Sequence, residues 1–382
     1  MTIPLMEMVE KLKILRNFME TSELDAWLII DFRGIDPTGE ALLGQLTPRS
    51  RLYAIIISLQ DTITIVKSPV EGTELINLTP LIQTYDARTQ AKFIQVLKTQ
   101  LKGFNRVAAN FSENPQTDVL PTGRFKLLRD TIQNVQWASG ENLMQIIHSV
   151  LSTNQMASHE RAAKTLTNIM KQAFAYIKDH MGLITEEQVA GFIVNKLSEA
   201  NLTFTERPMV AIQSNAANPH YTAGNTLIEK DRLLMIDLWA KWKIFADITW
   251  MAYTGSHIPD SIQTVWDTII EARKAATAAI KPFLPARIPD ERAREIMISA
   301  GYEQAILHRT GHSIDSHSHG KGANLDSYEM PETRLLLPNT VVSVEPGIYL
   351  KGKFGVRSEI NVAITKSAYR ITTPPQENLL CL

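Results

Sequence analysis

The chain has 382 residues, 44% hydrophobic and 21% charged; it exceeds the roughly 250 to 300 residues at which one core stops growing, and its composition excludes a disordered or collagen-like protein. Lys plus Arg number 39 against 40 Asp plus Glu, without the basic excess of a nucleic-acid binder, and the one cysteine, Cys381, excludes an internal disulfide framework or a cysteine zinc site. No apolar run approaches the roughly 18 residues of a membrane span and no apolar signal core opens the chain, so a cytoplasmic protein with neither nucleic-acid nor membrane partners is expected.

Taken in order, Leu5, Met8, Val9, Leu12, Leu15 and Phe18 recur at helical spacing. Strands are predicted over 26–30, 52–59 and 62–66, then helices over 90–101 and 124–132 around a strand at 107–111. This alternation describes an α/β unit over residues 1–150, and no glycine-rich phosphate loop follows any of its strands. A second unit, 155–382, opens with a helix over 158–180, Gly182 beyond its end, and a capping box in Thr185-Glu186-Glu187-Gln188. An apolar stretch at 209–212 and strands at 233–240 and 244–253 follow. Helices over 261–280 and 290–300, the latter with Asp290 as N-cap and Gly301 beyond its end, lead to a strand-like stretch ending near Asp315 and strands at 340–350 and 356–364. Two helices followed by three strands thus occur twice, about 105 residues apart. The whole reads as α+β.

Chemistry concentrates in the second unit. Asp237 and Asp247 flank a predicted hairpin centred on residue 242, and Glu345 and Glu359 flank another centred on Gly352. Residues equidistant from a turn face each other, so each hairpin should present two carboxylates together. The flanks, such as Leu234-Met235-Ile236 and Val341-Val342-Ser343-Val344, are largely apolar, which places these acids where an uncompensated charge is costly. Four of the nine histidines, His308, His312, His317 and His319, fall within twelve residues. One imidazole with four carboxylates suits hard divalent ions: manganese, with cobalt or zinc as alternatives. Four carboxylates balance two dications, and a pair of such ions is a hydrolytic device.

In Arg309-Thr310-Gly311-His312, Val344-Glu345-Pro346-Gly347-Ile348-Tyr349 and Gly355-Val356-Arg357-Ser358-Glu359, together with Asp237 and Asp247, the chain resembles the pita-bread metallopeptidases, above all the prolidase and aminopeptidase P group. The pattern spans about residues 155–370, and residues 1–150 more weakly resemble the creatinase-type N-terminal domain of the same family. The resemblance implies a curved antiparallel sheet carrying helices, two bound divalent metals, hydrolysis of the bond before proline in short peptides, and a homodimer whose N-terminal domain walls the entrance. It implies Asp237 on one metal, His312 completing the other, Asp247 and Glu359 bridging, and Glu345 as both ligand and general base. His220, in Asn218-Pro219-His220-Tyr221, and His319 correspond to substrate histidines. Arg357 corresponds to an arginine near the centre, or is a surface salt bridge.

The departures are specific. The two aspartates are closer by one residue than the family pattern, Trp239 stands where that pattern has glycine, and Trp250 stands where it has arginine. Ser313 and Asp315 replace glycines, and Gly320 replaces an acid. Every ligand position is kept, which weighs against two other readings: a scaffold that has become a binding protein, and a metal-free creatinase-like amidinohydrolase.

Overall fold

The structure is a computed structural model; it describes residues 5–44, 50–71 and 81–382, with side chains from Met8 onward. It divides into two compact units, Met1–His148 and Ser149–Leu382.

The first unit runs α1 (Leu5–Thr21), β1 (Ala26–Asp31), α2 (Thr38–Leu43), β2 (Tyr53–Ser58), β3 (Ile63–Lys67), β4 (Ile82–Asp86), α3 (Gln90–Gln100), β5 (Arg106–Ala109), α4 (Thr122–Thr131), β6 (Gln136–Ser139) and α5 (Glu141–Ser149). Its strands form one sheet in the order β4-β3-β2-β1-β5-β6. Strand β1 lies antiparallel to β2 and parallel to β5. As a central strand it is buried along its whole length, which is why its sequence is apolar without alternation from Ala26 to Ile30. Ala26, Leu28 and Ile30 pack with Phe93, Leu97 and Leu128 from α3 and α4. The short edge strands β4 and β6 escape sequence reading because they are half-exposed and carry no apolar run.

The second unit runs α6 (Thr153–His180), α7 (Glu186–Glu199), β7 (Met209–Ile212), β8 (Leu233–Lys241), β9 (Phe245–Tyr253), α8 (Asp260–Ala279), α9 (Arg287–Ser299), β10 (Ser313–Ile314), β11 (Val341–Val344), β12 (Gly347–Leu350), β13 (Phe354–Arg357), β14 (Ile360–Ile364), β15 (Tyr369–Ile371) and β16 (Leu380–Cys381). Thr185 and Gln188 form the expected reciprocal cap of α7, but α6 starts five residues earlier than predicted because Ser152 and Gln155 make a second capping box. Asp290 is not an N-cap: α9 begins at Arg287, and the Asp290 carboxylate, fully buried in the first turn, accepts from Arg294, Ser327 and the Thr310 amide.

Two sheets of four, β16-β9-β8-β7 and β10-β11-β14-β15, are accompanied by the β12-β13 ribbon. Along β8 the period-2 alternation divides two cores: Leu234, Ile236 and Leu238 pack with α6 and α7, while Leu233 and Met235 join Val265, Trp266 and Ile269 of α8. Continuing the second face along the strand, the next two residues are Asp237 and Trp239. The sheets meet where the Asp247 amide donates to Asn361 Oδ1 at 2.9 Å and the Glu359 amide donates to Thr249 O at 3.3 Å.

Strand β13 packs on a short 3-10 helix, Gln213–Ala217, and this approach needs a glycine: a Cβ at Gly355 would lie 2.0 Å from Ala216 O. Gly355→Ala is therefore expected to lower stability by about 1–3 kcal/mol in urea unfolding, through backbone displacement.

Candidate metal centre

The β8-β9 register corrects one expectation. Asp237 pairs with Thr249 and Asp247 with Trp239, so the hairpin is centred on residue 243, with a three-residue turn. The two aspartates are diagonal neighbours on one face, not a facing pair. The second hairpin follows the expectation: Val344 pairs with Ile360 and Gly347 with Arg357, which leaves Glu345 and Glu359 equidistant from Gly352, itself at φ +74°. The predicted long strands are each interrupted at these glutamates, between β11 and β12 and between β13 and β14. Freed from the ladder, the Glu345 amide donates to Thr310 O at 2.7 Å.

Five side chains converge. One donor atom from each of Asp247, His312 and Glu359 lies within 4.8 Å of the others, and all three residues are buried. His312 Nδ1 lies 3.1 Å from Ser313 O, and Nε2 faces Glu345 Oε1 at 3.2 Å and Asp247 Oδ2 at 3.7 Å. An imidazole nitrogen aimed at two carboxylate oxygens is held by a shared proton or by a cation between them. Asp247 Oδ1 and Glu359 Oε1 are buried and, among the described residues, have no hydrogen-bond partner. Thr249 Oγ1 accepts from Arg357 Nε at 3.0 Å and sits 3.0 Å from Asp237 Oδ1 and 2.9 Å from Glu359 Oε2, but its single hydrogen serves only one of them. Against four carboxylates stands Arg357, 5% exposed, which donates to Asp237 Oδ2 and is not a surface salt bridge. This oxygen-rich, under-compensated set fits divalent cations.

Electrostatics follow from the crowding. Burial, then the neighbouring carboxylates, push Asp247 and Glu359 well above the usual range. Burial also raises Asp237, against the pull of Arg357. Burial would raise Glu345 too, yet its bond to His312 holds it below the usual range. Burial lowers Arg357, but Asp237, Tyr349, Glu345 and Glu359 together raise it further, and it stays charged.

The histidine cluster separates into distinct roles. His319 lays its ring against His312, centroids 4.1 Å apart; His312, then burial, pushes it down to about 3. His220 is exposed in the loop after the 3-10 helix, within electrostatic reach of His319. His308 Nδ1 faces Arg309 O at 2.6 Å, so Tyr349 Oη donates to His308 Nε2 at 2.7 Å while standing 3.4 Å from Arg357 Nη1. His317 is exposed beside Asp315. Trp239 pairs with Asp247 and packs against a small cluster that includes Phe245 and Ile314, whereas Trp250 points to the opposite face, into the α6-α7 core, so the arginine it replaces would not have reached the carboxylates from that side. Sequence reading missed Thr249 and Ser343, whose hydroxyl lies 3.0 Å from Glu345 Oε1. Two-residue spacing from Asp247 and from Glu345 was the available signal.

Metallopeptidase family M24 matches residues 157–366. The chain belongs to this family. An uncharacterized peptidase of Staphylococcus haemolyticus is 24% identical to this M24 chain over 334 residues, covering 85% of the chain and 89% of the relative. Another, from Staphylococcus saprophyticus, is 26% identical over 230 residues, covering 59% and 63%. Among solved structures, a dipeptidase from Mycobacterium ulcerans superposes with TM-score 0.71 at 20% identity, covering 98% of this chain and 97% of its own. An Xaa-Pro dipeptidase from Bacillus anthracis gives 0.68 at 19%, covering 98% and 100%. The prolidase from Pyrococcus horikoshii gives 0.64 at 22%, covering 97% and 100%. These likenesses bear out the fold expected from sequence, an α/β N-terminal unit followed by a pita-bread unit. No helix among the described residues is long and apolar enough to cross a membrane.

Two outcomes are expected. Arg357→Met strands Asp237 as a buried charge, and metal-free protein should lose about 3–5 kcal/mol in chemical unfolding. Asp247 and Glu359 have folded pKa values above their unfolded ones, so their contribution is fully present below the unfolded values and is lost as pH rises through the folded ones. Metal-free protein should therefore lose thermal stability on moving from pH 5 to pH 8, and the rise in Tm caused by added Mn2+ should be larger at pH 8.

Proposed function

We propose that this chain is a dinuclear Xaa-Pro metallopeptidase, cleaving the bond before proline in dipeptides or at the N-terminus of short peptides. The observation that carries the reading is the pair of orphaned, buried carboxylate oxygens, Asp247 Oδ1 and Glu359 Oε1, beside the aimed Nε2 of His312. Asp237, Asp247, His312, Glu345 and Glu359 would hold two divalent ions, manganese with cobalt or zinc as substitutes. Such ions supply Lewis-acid polarisation of the scissile carbonyl and a water acidified toward neutral pH.

The chain's own groups would do the rest. Glu345, kept ionised beside His312, is the proton acceptor and later returns the proton to the leaving prolyl nitrogen. His319, held neutral beside His312, donates a hydrogen bond to the developing oxyanion. His220, exposed near His319, binds the substrate. Arg357 keeps Asp237 ionised and oriented. The creatinase-type character of residues 1–150, the catalytic domain over 155–382, the homodimer and the cytoplasmic setting belong to the same proposal.

Manganese-loaded protein should hydrolyse an Xaa-Pro dipeptide or an Xaa-Pro-Xaa tripeptide, and Asp247→Ala should abolish turnover of both. The preferred length assigns dipeptidase or aminopeptidase action; absence of turnover with either peptide, in protein binding about two metals, would refute the substrate class.

A further inference from the structure

The three departures Ser313, Asp315 and Gly320 form one packing unit. Asp315, 1% exposed, accepts at Oδ1 from the His317 amide at 2.8 Å and at Oδ2 from the Lys321 amide at 2.8 Å and Ser149 Oγ at 2.9 Å. One carboxylate thereby closes both ends of the loop that carries His319. Space for it comes from the glycine: a Cβ at Gly320 would lie 2.7 Å from Asp315 Oδ2 and 3.0 Å from Ser313 Oγ. Lys241, at the end of β8, donates to Ser316 O from the other side, and the Phe245 amide, two residues before Asp247, donates to Asp315 O at 3.0 Å. The His319 imidazole forms no hydrogen bond among the described residues and touches His312 through its ring, so its direction is set by its loop.

We propose that Asp315 is the positioning residue for His319: its buried carboxylate clamps the 316–320 loop so that the imidazole is presented beside His312. Its effect on catalysis rests on the role given to His319 above; its effect on the ring does not.

The test follows the His319 ring by NMR in metal-free protein labelled at histidine and assigned with His319→Ala, and measures Xaa-Pro turnover in manganese-loaded protein. In Asp315→Ala the shift imposed by the neighbouring His312 ring should collapse toward that of a free histidine, while Ser316→Ala leaves it in place. Turnover should fall about 10- to 100-fold in kcat with bound metal unchanged, the scale of a misplaced group. Adding His319→Ala should cost nothing more. Asp315→Asn, which keeps one acceptor oxygen, should fall between wild type and Asp315→Ala, and Gly320→Ala should repeat the loss from the loop side, so the test survives an unfolded Asp315→Ala. An unchanged ring shift in the folded variants would overturn the proposal, as would additive losses in the double variant. If the ring shift collapses but His319→Ala leaves turnover intact, the positioning stands and the catalytic role of His319 fails.

Discussion

Four carboxylates gathered around a single guanidinium dominate the second unit. An isolated buried carboxylate is costly, and neighbours of like charge add to that cost, so the surrounding structure must be rigid enough to hold them against repulsion. The rigidity has identifiable sources. Thr249 sits between Asp237 and Glu359, Asn361 fixes the Asp247 backbone, and Ser343 spans the His312 amide and the Glu345 carboxylate. These three side chains are uncharged, so they add fixed dipoles without adding to the charge that the cations must balance.

The same strand that builds the core also builds the site. On β8 one face stays apolar along its length and anchors α6 and α7; the other is apolar at Leu233 and Met235 and becomes polar at Asp237. A carboxylate placed on a regular, doubly supported strand has little freedom to swing away from its neighbours, and this suits a centre in which ligand directions matter. The histidines that would handle substrate lie instead on loops, His220 after a 3-10 helix and His319 beyond β10.

Much of this was legible in the residues, because its signals are local. Capping residues marked α7, apolar runs marked β8 and β9, and the ligands stood in separate recognisable segments. What stayed hidden depended on partners far along the chain. Asp237 and Asp247 are not symmetric about their turn, which has three residues, and Thr249, a neutral hydroxyl with no charge to attract notice, is the true partner of Asp237. Conversely, the glutamates are symmetric about Gly352, where a left-handed glycine fixes the centre of the hairpin. Asp315 read as a loss of glycine, since nothing local tells that its carboxylate is met by the Lys321 amide and by Ser149.

The strand interruptions at the two glutamates carry a consequence for dynamics. With the hairpin ladder broken there, the Glu345 amide bonds to Thr310 and the Glu359 amide to Thr249, each two residues from another proposed ligand, His312 and Asp247. Neither amide can reach solvent unless a pair of ligand-bearing segments parts, so hydrogen exchange at these two positions would register opening of the centre itself, separately from fraying elsewhere in the sheets.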